Sequence, residues 1–422
     1  MDNRRGMLES LFRAAVEAAD PLAGMRRHLP SVPQSGRTVV VGAGKAAAQM
    51  AAALETLWPA RLSGVVVTRY GYGCATKHIE VIEAAHPVPD AAGLAATSRL
   101  FAAVLDLREE DLVIALISGG GSALLPAPPA GLSLDDEAAL NEALLACGAP
   151  ISAMNVVRKH FSAIKGGRLA AATRARVVSF VVSDVPGDNP AFVASGPTIA
   201  DASTRQDAID IVARYGIDLS AAMAAHLHSP AADAPRPDDP VFARHSSHVV
   251  ASAGISLEAA AERARSFGLS PVILSDSMEG EAREVALVHA AIAREVADRG
   301  RPFPKPVVLL SGGETTVTVR DPAGRGGRNG EFALSLALAV NGYDIHALAA
   351  DTDGIEAGGE NAGAFADGDT VARLRARGLD GRLHLARNDS LSAFAAIGDL
   401  FVTGPTGTNV NDFRAILVDG AT

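Results

Sequence analysis

The strongest constraint on the fold is a set of short apolar runs that do not alternate with polar residues. TVVVGAG (38–44), SGVVVTRYG (63–71), DLVIALISGGG (111–121) and VVSFVVSDV (177–185) are rich in Val, Ile and Leu on both strand faces. A strand buried on both faces reads this way, whereas a strand with one wet face alternates. Ala-rich helical segments separate the runs. Strand–helix–strand order predicts an α/β fold with a Rossmann-like, doubly wound parallel sheet and right-handed crossovers. The rhythm breaks at HSPAADAPRPDDPV (228–241), which is rich in Pro and Asp and has no periodicity. It resumes with HVVASAG (248–254), a helix over 256–268, LSPVILSD (269–276) and a long helix over 280–299. VVLLSGG (307–313), TTVTVR (315–320) and DIHALAAD (344–351) read as the strands that complete this half. A chain of 422 residues suits two domains, and the division expected is 1–238 and 239–422.

Composition narrows the function classes. Apolar residues at 48% and charged residues at 20% support large cores and argue against disorder. A net charge of −10 and only 4% aromatics argue against a nucleic-acid partner. Cys74 and Cys147 are too few and too far apart for a disulfide framework or a zinc site. The first twenty residues lack the apolar stretch of a signal peptide, and Leu8, Leu11, Phe12 and Val16 fall at helical spacing. No apolar run approaches the ~20 residues that span a bilayer. The expectation is a cytoplasmic protein acting on small molecules, without membrane or nucleic-acid partners, with a homodimer as the assembly considered.

Several polar motifs stand at the ends of the apolar runs. Gly42, Gly44 and Ala47 fit the dinucleotide pattern G-x-G-x-x-G/A, and a tight turn would need no more than that. The next strand ends Val67-Thr68-Arg69, without the acid that a ribose hydroxyl wants. Lys45 stands at the helix start, where an ammonium can reach a phosphate. Ser118, Gly119, Gly120, Gly121 and Ser122 form a second corner, whose backbone N–H groups could make an anion nest. NVVRKHFSAIKGGRLA (155–170) reads as a helix, with Asn155 at its start. Arg158 and Lys165 share a face that is either solvated or aimed at phosphate or carboxylate. Asp184 and Asp188 lie in a turn after a buried strand, where a carboxylate caps the turn, holds Mg²⁺ or takes a proton.

The second half repeats the strand–Ser–Gly–Gly device at Ser311, Gly312, Gly313 and Glu314. Two such corners suggest two halves facing one anionic ligand. Arg325, Arg328 and Asn329 sit in the glycine-rich GRGGRNGE loop, which suits a loop that closes on phosphate. Asp351 and Asp353 are two apart in extended chain and could point the same way.

Taken in order, GAGKAA, HPVPD, SGGGSAL, NVVRKHFSAIKGGRLA, SDVPGD, ASGPT, SGGET, GRGGRN, DTDG and TGPTGTNVND resemble the glycerate 2-kinase family along nearly the whole chain. The resemblance implies a Rossmann-like domain followed by a MOFRL α/β domain with a mixed sheet. It implies ATP- and Mg²⁺-dependent phosphorylation of D-glycerate at its 2-hydroxyl. Lys45 and Arg328 match the lysine and arginine held to be essential in that family. Asp184 then becomes a catalytic candidate, and Asp184, Asp351 and Asp353 become candidate metal ligands. The glycine corners, Asn155, Arg158, Lys165, Asp188, Glu314, Arg325 and Asn329 become candidates for substrate or nucleotide binding. One departure is Gly330, where the family pattern GRNQE has glutamine. The alternative is an NAD(P)H-dependent hydroxypyruvate reductase, which the first glycine pattern resembles and the missing ribose acid disfavours.

Overall fold

A computed structural model describes residues 3–356 and 359–419. The chain forms two compact units. The first is Pro21–Val250, and the second joins the residues up to Asp20 to the chain from Ala251 onward.

The first unit is built on β1 (Thr38–Ala43), β2 (Ser63–Arg69), β3 (Ile79–Ala84), β4 (Leu112–Ser118), β5 (Arg176–Val182) and β6 (Ser246–Ala251), in the order β3-β2-β1-β4-β5-β6. The pairs β1–β2, β1–β4, β2–β3 and β4–β5 are parallel. Every residue of β1 and β4 is buried, which explains their apolar runs. The chain leaves β1 toward β3 and returns to β4 on the other side. The crevice at the carboxyl ends of β1 and β4 is thus a topological switch point, where open α/β sheets bind ligands. The strand β3 escapes the sequence reading because it lies at the sheet edge and exposes Glu80. HVVASAG opens no new domain; β6 is the sixth strand of this first sheet.

The second unit holds β7 (Ser270–Met278), β8 (Val307–Gly313), β9 (Ile345–Asp351), β10 (Gly363–Asp367), β11 (Leu400–Phe401) and β12 (Asp412–Val418), in the order β11-β10-β9-β12-β8-β7. Only β7–β8 is parallel among its pairs, so the sheet is mixed. Val307, Leu309, Ile416 and Val418 pack with the helices Ala282–Arg299 and Arg328–Ala339. Their strand neighbours Val308, Leu310, Phe413 and Leu417 pack on the other face with the helices Asn3–Ala18 and Ala253–Ser266. This face explains why the N-terminal helix departs from the expected division at 238/239. Leu8, Leu11, Phe12 and Ala15 complete its core, and the Phe12 ring meets Phe401 and Phe413 edge-on at 5.0 and 5.7 Å.

Two further differences concern this sheet. Residues 315–320 are not a strand; Thr316 makes one isolated bridge with Glu281. The final run DFRAILV is a strand, and it sits centrally between β8 and β9. Among the described residues no helix is long and apolar enough to cross a membrane.

Candidate functional site

The turn after β1 is closed by the protein itself. Gly44 donates its N–H to Val67 O at 3.1 Å, Lys45 to Gly119 O at 2.9 Å, and Ala46 to Ser118 Oγ at 3.0 Å. A Cβ on Gly44 would collide with Ser118, and one on Gly42 would lie 2.5 Å from Leu116 O. The glycines of the dinucleotide pattern are therefore required by strand packing. The turn's N–H groups are already taken, so it is not the anion cradle expected. Lys45 itself is half-buried, and its ammonium has no partner among the described residues. Ser118 is buried and fixes the turn rather than facing a ligand.

The SGGGS corner makes room for the protein's own functional groups. A Cβ on Gly119 would collide with the Asp184 carboxylate. On Gly120 it would lie 3.0 Å from His86 Nε2 and 3.2 Å from Lys45 Cγ; on Gly121 it would lie 2.6 Å from Ala194 Cβ. Gly120 has φ 79°, which favours glycine in any case. Lys45, His86 and Asp184 thus converge on consecutive glycines at the carboxyl end of β4. Gly119 and Gly120 form the turn that leads from β4 into the short helix Gly121–Leu124.

Other candidates of the first unit brace this corner. Ser122 Oγ lies 2.8 Å from Ser195 Oγ, which donates to Asn155 Oδ1 at 3.0 Å, while Asn155 Nδ2 donates to Phe192 O at 3.0 Å. Asn155 is buried and acts as a strut for the ASGPT turn. The expected helix over 155–170 ends at His160, and Gly166 and Gly167 take positive φ. Lys165 therefore does not share a helix face with Arg158. It is 1% exposed, and its Nζ lies 2.5 Å from Glu137 Oε1. Such a pair is structural: its charge is spent on a buried carboxylate. Arg158 donates to Asn141 Oδ1 at 2.9 Å, and burial lowers its pKa. Asp188 lies in the turn after β5 with φ 52°.

The second unit treats its arginine differently. Arg328 opens the helix Arg328–Ala339. Its Nε donates to Asp412 Oδ1 at 2.6 Å, Nη1 to Glu314 Oε1 at 2.9 Å and Nη2 to Asp351 Oδ2 at 2.8 Å. Burial opposes its charge, but Asp412, Asp351 and Glu314 outweigh that and hold it further toward the cation. Asp351 is pushed up to about 7 by burial and by Asp353 and Asp412, against the pull of Arg328. Its other oxygen accepts the Asp353 N–H at 3.1 Å, and Asp353 Oδ1 accepts from Ile355 N at 2.8 Å. The cation paired with Asp351 is thus Arg328, and the Asp353 carboxylate turns back to its own loop. Among the described residues no group of three or more His, Cys, Asp or Glu is placed to hold a metal.

Three residues that carry this nest were not anticipated. Asp412 uses Oδ1 for Arg328 and for Asn329 Nδ2 at 2.8 Å, and Oδ2 for Arg414 Nη2 at 2.5 Å. Arg414 is fully buried under it. Glu356 is 5% exposed and accepts the N–H groups of Asn329 and Gly330 at 2.5 and 2.9 Å, capping the helix. Asp412 stands in TGPTGTNVND and Glu356 follows DTDG, so the motifs held the signal but not the roles. Asn329 is buried as a tie to Asp412. The SGGE segment is no open corner: Ser311, Gly312 and Gly313 are buried within β8, and Ser311 Oγ lies 2.9 Å from His289 Nε2.

The glycines of the GRGGRNG loop are likewise consumed by close packing. A Cβ would collide with Arg387 O at Gly324, with Ser390 Oγ at Gly326 and with Glu356 Cγ at Gly327. At Gly330 it would lie 2.5 Å from Ser390 Oγ, which accounts for glycine where the family pattern has glutamine. Arg325 is exposed, with no side-chain partner among the described residues. It stands at a cavity of about 950 Å³ whose apolar wall is Leu391, Ala395, Leu400 and Val402.

A family model described as a domain of unknown function, DUF4147, matches residues 7–228, and the MOFRL family model matches residues 307–412. Glycerate 2-kinase of Pyrococcus horikoshii is 40% identical over 91% of this chain and 88% of its own length. This chain belongs to the glycerate 2-kinase family. The crystal structure of glycerate kinase from Thermotoga maritima matches with a TM-score of 0.88 at 37% identity, covering 99% of this chain and 100% of that one. A family member from Agrobacterium vitis is 52% identical over 98% of this chain and 94% of its own length, and bears the provisional name of hydroxypyruvate reductase.

Proposed function

We propose that this protein transfers the γ-phosphoryl group of ATP to the 2-hydroxyl of D-glycerate, giving 2-phosphoglycerate and ADP. The observation that carries the reading is Lys45, a half-buried ammonium without a partner among the described residues, at the switch point of the first sheet. Phosphoryl transfer asks a protein chiefly for positioning and for positive charge near the moving group. The N–H groups of Gly120, Gly121 and Ser122 offer further donors beside it. In the second unit, Arg325 and the apolar wall behind it suit a nucleotide, the guanidinium for phosphate and the wall for the base.

Mg²⁺ fits Asp184 better than the other candidates. The Asp184 carboxylate stands over Gly119, at the corner that Lys45 also borders, whereas Asp351 is paired with Arg328 in the second unit. Mg²⁺ bound to nucleotides commonly takes one or two carboxylates with phosphate oxygens and water. It would supply neutralising charge to the phosphates there.

The reductase reading fares worse on this chain. A dinucleotide pyrophosphate needs the N–H groups of the first glycine turn, and these are bonded to Val67, Gly119 and Ser118. An assay of purified protein with ATP, Mg²⁺ and D-glycerate, run beside NADH with hydroxypyruvate, tests the choice. ADP release with glycerate is expected; NADH consumption without ADP release would reverse it.

A further inference from the structure

HPVPD (86–90) follows the edge strand β3. The chain leaves β3 at Ala84 and turns through His86 into this run. The turn brings the His86 ring to the SGGGS corner, where Nε2 and Lys45 Cγ flank the same face of Gly120. The ring is half-buried, and neither nitrogen has a hydrogen-bond partner among the described residues. Structural histidines in this protein look different. His289 is tied at both nitrogens, to Val285 O and Ser311 Oγ, and His160 Nδ1 is tied to Ala232 O. An imidazole with no partner, beside an ammonium with no partner, at the carboxyl ends of adjoining strands, is placed to meet a ligand.

We infer that His86 is a catalytic residue, the group that takes the proton of the substrate hydroxyl as that oxygen attacks phosphorus. The assignment rests on the phosphorylation reading. In the step, a lone pair of the 2-hydroxyl oxygen forms the bond to the γ-phosphorus. The bond from that phosphorus to the β,γ-bridging oxygen breaks, and its electron pair leaves with ADP. The hydroxyl proton passes to a His86 ring nitrogen and then to solvent. Burial, then Lys45 and Arg69, lower the His86 pKa from its ordinary 6.5, so the ring is neutral near pH 7 and has a lone pair to offer. The charged groups around it are Lys45 from the turn after β1, Arg69 at the end of β2 and, over the neighbouring Gly119, Asp184 after β5. Asp184 is the competing acceptor.

The test compares pH profiles of kcat for the wild type, His86→Asn and Asp184→Asn, with melting temperatures as a folding control. His86→Asn should fold as the wild type does, lose about 10²–10⁴-fold in kcat and lose the acid limb of the profile, with KM for ATP and glycerate nearly unchanged. His86→Ala should regain activity with added imidazole, which a merely structural role would not allow. Asp184→Asn should keep the acid limb. A folded His86→Asn with wild-type kcat and profile would overturn the assignment alone. So would an acid limb lost in Asp184→Asn and kept in His86→Asn. A wild type that releases no ADP with glycerate would overturn the phosphorylation reading, and this assignment with it.

Discussion

The first unit leaves its key cation open, and the second locks its own. Lys45 projects beside the SGGGS corner without a partner among the described residues. Arg328 is held by Asp412, Asp351 and Glu314, with Asp412 tied in turn to Arg414. An open ammonium can respond to an arriving phosphate. A guanidinium in a carboxylate nest is oriented before any ligand comes, and its neighbours depend on it electrostatically. The same contrast recurs within the first unit, where Lys165 is paired with Glu137 in the interior.

The sharpest way to break this comparison is to truncate both lysines. Lys45→Ala should lower kcat by about 10²–10³-fold or more, with an unchanged melting temperature, since alanine suits a helix start. Lys165→Ala should do the reverse: destabilise the fold by roughly 3–5 kcal/mol by stranding a buried carboxylate, with KM for both substrates nearly unchanged. Denaturant titration and steady-state kinetics on the two variants decide it. Equal kinetic losses would erase the distinction between open and paired cations.

Arg328→Ala should combine the two phenotypes. It removes one of the two cations of Asp412, which is 2% exposed and keeps Arg414, and should destabilise the fold by roughly 1–3 kcal/mol. A variant as stable as the wild type would show that the carboxylates need no cation.

A smaller effect sharpens the picture of the nest. Burial pushes Glu356 from its ordinary 4.5 up to about 7, against the N–H groups of Gly330 and Asn329. A carboxyl raised in the folded state contributes stability that is full below 4.5 and lost as pH rises through about 7. Glu356→Gln cannot ionise, so its stability relative to wild type should grow across that window, by up to roughly 3 kcal/mol. Melting curves from acid to neutral pH measure it, and a difference flat with pH would contradict the burial argument. The smallest effect concerns Gly330→Gln, which restores the family residue. It should cost about 1–3 kcal/mol through the Ser390 contact, and Ser390→Gly in the same chain should recover part of that loss.

Much of the fold was legible because burial on both faces writes itself into local composition. The strands β1, β2, β4, β5, β7, β8 and β9 are visible as apolar runs. β3 was not, because an edge strand that exposes Glu80 mixes polar with apolar residues. β12 was hidden behind a motif whose polar residues drew the eye from DFRAILV. Lys45 could be singled out because it directly follows a strand–glycine turn. Its neighbour His86 could not, because it comes from another turn and meets Lys45 only across Gly120.

By itself the sequence determined an α/β chain with a parallel sheet, a lysine at the end of its first strand and a family-like order of motifs. Only the tertiary structure decided which charges are available. Lys165 finds Glu137 28 residues away, and Arg328 finds Asp412 84 residues away. Local pattern records whether a side chain is apolar or charged. Whether a charge is neutralised depends on which distant residue the fold brings within about 3 Å of it, and a carboxylate at that distance turns a candidate ligand-binding cation into part of the framework.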